Sequence, residues 1–387
     1  MKNSTNNVLN LLIALPIFWF FTGYLFISGG DKITVSLFVV SILSILIKYK
    51  LQTLKININE TYIKIILISA IYGSILYLTI GYGSSEVRTL IASTVFFLFY
   101  PKDFLNRKNL SYLLLIGSII SFAFIYYNKF YLGLNRGAYI INPIPYAITL
   151  SIYAIITLNY FLKDKSYALF GAFILYLLSV IITETRGAIL PLLIASAFML
   201  LMKAKQSGIN KKGSLLTIIV IVFVTIPSFN FIKERVKVTI HDIETIQAGN
   251  ENTSIGLRLQ MWKASPLMIT QSPIYGNGDS HREKLQELYK KGSIDKSLAD
   301  FSPAHYHNQF IDKLIKSGFI GLALFFLVIY YPLYHAVKYK TNKDILLGIA
   351  LLVTLTSLTD TPFGQSFCLF PILFSNYLLT SKGIKTN

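Results

Sequence analysis

Apolar runs of roughly 20 residues recur along the whole chain, separated by short charged breaks, and no other feature limits the fold as strongly. In lipid every backbone polar group must be bonded within its own segment, so runs of this length read as membrane-spanning helices. They lie at 8–29, 33–47, 62–81, 89–101, 109–128, 139–162, 167–183, 187–202, 215–232, 315–337, 345–359 and 363–380. The expectation is an all-α polytopic membrane protein with twelve transmembrane helices. Only 14% of the 387 residues are charged, against about 25% in an ordinary globular protein. The first run follows Lys2 and is closed by no small-residue cleavage site, so it reads as an uncleaved span.

The net charge is +18, which in a soluble domain would suggest nucleic acid. Nucleic-acid binders concentrate such charge on one soluble face, whereas here apolar runs separate it. Sorted by alternate connections, 18 Lys and Arg fall on one side and 5 on the other: Lys32, Arg88, Lys129, Arg136 and Arg186. By the positive-inside rule the crowded side is cytoplasmic, as are both termini. The long connection then falls on the outer side.

The chain therefore divides into spans over 1–232, one large outer loop over 233–314, and spans over 315–387. Connections usually run 4–6 residues, so a loop of this length reads as a folded functional element. Within it, 255–269 reads as an amphipathic helix stopped near Pro266, and 281–291 as a second, polar helix. Cys368 is the one cysteine, which leaves no intrachain disulfide and no cysteine-rich zinc cluster.

Arginine is prominent on the outer side. Arg136 precedes Gly137 and Asn142-Pro143-Ile144-Pro145; Arg186 sits in Thr183-Glu184-Thr185-Arg186-Gly187-Ala188; Arg258 lies in the loop helix. His305, His307 and Asn308 stand before the tenth run, and Asp360 ends the eleventh. The planar guanidinium suits bidentate binding of phosphate and stays charged at any working pH. An arginine at a span end can instead snorkel to lipid phosphate, and for Arg88 and Arg136 the two readings stand level, as they do for Arg258 between a ligand contact and a solvated helix position. At Arg186 the following Gly187-Ala188 permits a close approach that an anchor would not need. Convergent arginines beside the bilayer suit an anionic head group with a lipid tail, such as a lipid-linked pyrophosphate.

His307 begins a run in which Phe310, Leu314 and Ser317 recur at helical spacing, so it is expected to cap a helix continuing into the tenth span. A lone histidine is more often a structural hydrogen-bonder than a catalyst, but an imidazole at the membrane edge beside these arginines could take a proton from an attacking hydroxyl. On a helix His305 and His307 would diverge, and neither HExxH nor a nearby carboxylate pair is found, so no metal and no cofactor is expected. Walker-A, GxGxxG and GxSxG patterns are likewise not found. An outer-face enzyme has no ATP, so its substrate must arrive activated, as a sugar on a lipid pyrophosphate does.

In order and topology the Thr185-Arg186-Gly187-Ala188 turn, the Gly256-Leu257-Arg258-Leu259 to Trp262 helix, and His305-Tyr306-His307-Asn308 before Ser317-Gly318-Phe319-Ile320-Gly321 resemble bacterial O-antigen ligases. The wider superfamily includes O-antigen polymerases and protein O-oligosaccharyltransferases. The resemblance implies the helical architecture of lipid-dependent glycosyltransferases of the GT-C kind. It implies transfer of O-antigen from undecaprenyl pyrophosphate to lipid A–core at the periplasmic face of the inner membrane, without ATP or metal. It places Arg186 and Arg258 on the pyrophosphate, His307 as the base and Asp360 as an acidic residue before the last span; by position Arg136 is expected to join the pyrophosphate clamp, and His305 and Asn308 to support the base. An O-antigen polymerase, using the same donor and a second lipid-linked glycan, is the nearest alternative. A lipid-linked sugar flippase is a more distant one, because transporters tend to carry repeated halves and midplane charges.

Overall fold

The computed structural model describes residues 2–137, 141–207, 233 and 236–380, and among them every regular element is helical. The helices are α1 (Lys2–Thr22), α2 (Gly30–Tyr49), α3 (Gln52–Asn57), α4 (Thr61–Ile80), α5 (Ser84–Phe99), α6 (Arg107–Tyr126), α7 (Pro143–Asp164), α8 (Tyr167–Ile182) and α9 (Arg186–Ser207). After a helical segment at 236–247 come α10 (Ser254–Ile269), α11 (His281–Lys290), α12 (Lys296–Phe301), α13 (Gln309–Tyr339), α14 (Lys343–Ser357) and α15 (Ser366–Thr380). Eleven of the twelve apolar runs fall on these helices, and the run at 215–232 lies outside the described residues.

Six helices among the described residues are long and apolar enough to cross a membrane: Gly30–Tyr49, Thr61–Ile80, Arg107–Tyr131, Pro143–Asp164, Arg186–Lys205 and Gln309–Tyr339. They differ in what they face. About nine-tenths of α7 is buried inside the protein (89%), against a third of α2, α6 and α9 (33% each). α7 is thus the central post, packed by α8, α9, α14 and α15. The outer helices expose large apolar side chains such as Leu78 (82%) and Leu201 (70%). Water would penalise such a surface, whereas lipid does not. The protein is a multi-pass membrane protein. Its interior is rich in rings, with Phe38 stacked on Phe96 at 4.0 Å and Phe97 on Tyr377 at 4.3 Å.

The long connection has a small core of its own. Met261, Met268, Leu285, Leu288, Leu298 and Tyr306 bury together against Ile315, so α10, α11 and α12 pack on the first turns of α13. The buried face of α10 (Met261, Ala264, Ser265, Met268) has the helical spacing expected of an amphipathic element.

α10 ends at Ile269, where the 255–269 reading put it, and Pro266 lies inside its last turn rather than at its end. Proline lacks the N–H that would bond the carbonyl of Trp262. The hydroxyl of Ser265 donates to that carbonyl instead, at 2.7 Å.

α13 is broken at Gly318, whose φ of 65° and ψ of −168° only glycine adopts readily. The backbone groups released there are taken up by the long connection. Phe319 N–H donates to Pro273 O at 2.8 Å, and Asn277 N–H donates to Ile315 O at 2.7 Å. A Cβ on Gly318 would lie 2.1 Å from Ile274 O, so loop and span meet too closely for any side chain.

Candidate functional site

Asn308, not His307, caps α13. Its side-chain oxygen accepts from the N–H groups of Phe310 (3.0 Å) and Ile311 (3.1 Å), an acceptor geometry that short amide side chains favour. His307 precedes the cap with φ +48°, in the left-handed region, and its half-buried ring carries an Nδ1 shielded from solvent without a hydrogen-bond partner. A buried polar atom left unpaired is costly and calls for an explanation, a bound partner among them.

His305 and His307 do not diverge as they would on a helix. The segment is irregular, and their rings meet edge to face at 4.3 Å. Burial, then His305 and Arg258, hold the His307 imidazole down to about 4, with Asp312 opposing. The ring is therefore neutral at pH 7.

Arg258 lies half-buried on the second turn of α10, whose cap Thr253 accepts from Gly256 N–H at 3.0 Å. Its charge acts on Asp360 as well as on His307. Asp360 is buried in the turn between α14 and α15, and burial raises its pKa; the Thr361 N–H at 2.6 Å, His305 and Arg258 work against that rise. The same turn is bound to the start of α13, where Gln309 accepts from Phe363 N–H at 2.8 Å. His305, His307, Arg258 and Asp360 thus form one electrostatic group.

Arg186 opens α9, exposed, with one guanidinium nitrogen 2.7 Å from Thr239 Oγ1. A Cβ on the next residue, Gly187, would fall 2.7 Å from Thr359 Oγ1. The close approach suggested by the sequence is therefore to the neighbour of Asp360, which brings the Arg186 turn beside the Asp360 turn. Arg136 binds that turn from the other side, donating to Thr183 O (3.0 Å) and Thr185 Oγ1 (2.8 Å). Two of its donors thus hold the Thr183–Arg186 turn.

Sequence reasoning passed over several residues. Lys313 pairs with Glu86 on α5 and donates to Tyr82 Oη at 2.9 Å, with Lys313 and Glu86 both buried. Asp312 and Lys316 form a second buried pair at 2.9 Å. The signal was three charges within five positions at the head of an apolar helix, where unpaired charge is expensive.

Part of the chain that carries this geometry is similar to known proteins. Residues 171–326 match the O-antigen ligase family model. The match covers Arg186, Arg258, His305, His307 and Asn308, and leaves Arg136 and Asp360 outside. The chain is 28% identical over 256 residues to an uncharacterized protein of Haemophilus influenzae, covering 60% of this chain and 61% of that one. It is 25% identical over 189 residues to the O-antigen ligase of Escherichia coli, covering 48% of this chain and 44% of that one. The chain thus spans between about two-fifths and three-fifths of these curated relatives. The O-antigen ligase match starts within α8 and ends within α13, so it includes the Arg186 turn, the folded loop and the break at Gly318.

Proposed function

We propose that this protein is an O-antigen ligase of the bacterial inner membrane. It would join polysaccharide carried on undecaprenyl pyrophosphate to a sugar of lipid A–core at the periplasmic face. The proposed architecture is GT-C-like: twelve spans, cytoplasmic termini and a periplasmic loop over 233–314. The observation that carries the reading is a half-buried His307 whose Nδ1 is unpaired and whose imidazole feels the charge of Arg258, within the stretch that matches the ligase family.

In the proposed reaction Arg186 and Arg258 hold the donor pyrophosphate, and Arg136 keeps the Arg186 turn in place. An acceptor hydroxyl oxygen attacks the anomeric carbon from the face opposite the phosphate. The new C–O bond forms as the bond to the pyrophosphate breaks, inverting the carbon. The hydroxyl proton passes to His307. The electron pair leaves with the pyrophosphate oxygen, where the arginines meet the growing charge. Asn308 fixes the helix behind His307, while His305 and Asp360 tune the charge around it. No cofactor enters the scheme.

Deleting the gene tests the reading. A ligase deletion leaves lipid A–core bare while lipid-linked O-antigen accumulates. Lipid A–core carrying single repeat units would instead indicate a polymerase.

A further inference from the structure

Tyr306 stands between His305 and His307, is fully buried, and has each polar group bonded to a different helix. Its carbonyl accepts the indole N–H of Trp262 on α10, its N–H donates to Asp312 Oδ1 on α13, and its hydroxyl pairs with His281 Nδ1 on α11, each at 3.1 Å. Lys316, paired with Asp312, donates to Ala304 O at 2.7 Å and so fixes the chain two residues upstream.

Trp262 lies one helical turn after Arg258 on α10. One hydrogen bond therefore ties the helix bearing Arg258 to the peptide unit preceding His307. We propose that Trp262 and Asp312 are positioning residues that fix, through Tyr306, the distance and angle between Arg258 and His307. This rests on the reading of Arg258 as donor clamp and His307 as base.

The chemistry explains why such a link is needed. An in-line displacement requires hydroxyl oxygen, anomeric carbon and leaving oxygen to align, and a misplacement of about 1 Å can cost on the order of 100-fold. The left-handed φ at His307 is unfavourable in isolation, so the turn keeps this shape only while its neighbours over-determine it. The loop core is supplied by Met261, Met268, Leu285 and Leu288, and Trp262 packs against it only partly buried. Removing the indole N–H should therefore loosen the turn without unfolding the loop.

The test uses the full chain purified in detergent, with a lipid-pyrophosphate-linked glycan as donor and lipid A–core as acceptor. Trp262→Phe keeps a packed ring and loses the N–H; Asp312→Ala removes the acceptor of the Tyr306 N–H. Trp262→Phe should lower kcat about 10- to 100-fold, with donor KM and thermal melting little changed. A second readout needs no turnover: in 15N-histidine spectra the His307 signal, assigned by its loss in His307→Ala, should shift or double in both variants. Unchanged kcat with an unchanged His307 signal overturns the inference. So does a loss that tracks lowered melting and recovers on cooling, because that marks a role in folding alone. If the wild-type protein transfers nothing, the functional reading fails, and an unshifted His307 signal then overturns the positioning role separately.

Discussion

Gly187 and Thr359 touch where α9 begins and α14 ends: a Cβ on the glycine would meet Thr359 Oγ1 at 2.7 Å but Thr359 Cβ at 3.6 Å. This contact sets how near the Arg186 turn lies to Asp360. Gly187→Ala should displace Arg186 and reduce transfer at least tenfold, since small misplacements of charge donors are costly. Thr359→Ala removes the clashing oxygen and leaves ordinary van der Waals contact. The double variant should therefore regain most activity. A double variant as poor as Gly187→Ala would show that the contact does not set the site.

The break at Gly318 makes a separate prediction. Alanine there must adopt a conformation costing about 1–3 kcal/mol and also displace the Ile274 carbonyl. Gly318→Ala should lower the melting temperature of the detergent-solubilised protein and release the 273–277 segment to proteolysis. Retention of both wild-type melting and protease resistance would contradict this account of the break.

Glu86 and Lys313 form a buried pair, side chains 9% and 4% exposed, linking α5 to α13. Breaking such a pair leaves an unmatched charge, at about 3–5 kcal/mol, whereas replacing both partners can be close to neutral. Glu86→Gln and Lys313→Met should each destabilise strongly, and the double variant less than either. Additive losses, read from thermal melts, would show that the two side chains act independently.

Much of this organisation is legible in sequence, and the remainder is hidden for identifiable reasons. A run of about 20 apolar residues announces a helix because period and length are local properties. Eleven such runs could therefore be placed from residue order alone. Arg186, Arg258 and His307 stood out because charge and imidazole are rare in apolar surroundings. What carries α10 past Pro266 was not legible, since it depends on the adjacent Ser265 hydroxyl replacing a lost donor. Nor was the meeting of His305 with His307. That accompanies a left-handed turn at His307 next to Tyr306, whose carbonyl and hydroxyl are held by Trp262 and His281, both distant in sequence.

The His307 environment has a definite pH consequence. Burial, His305 and Arg258 lower its pKa to about 4, below the ordinary 6.5, so the ring stays neutral as pH falls and protonates only near pH 4. Transfer should keep its base form across the physiological range. In Arg258→Gln one lowering influence is lost, and the His307 titration followed by 15N NMR should move upward. An anionic donor bound at Arg258 should move it the same way. Wild-type titration near 6.5, or none of these shifts, would contradict the arrangement.

The most direct test of the central claim is transfer by purified His307→Ala protein, with donor binding measured alongside. The account predicts that the variant still binds the lipid-pyrophosphate-linked glycan and loses about 10²–10⁴-fold in transfer to lipid A–core. Transfer at the wild-type rate would contradict it.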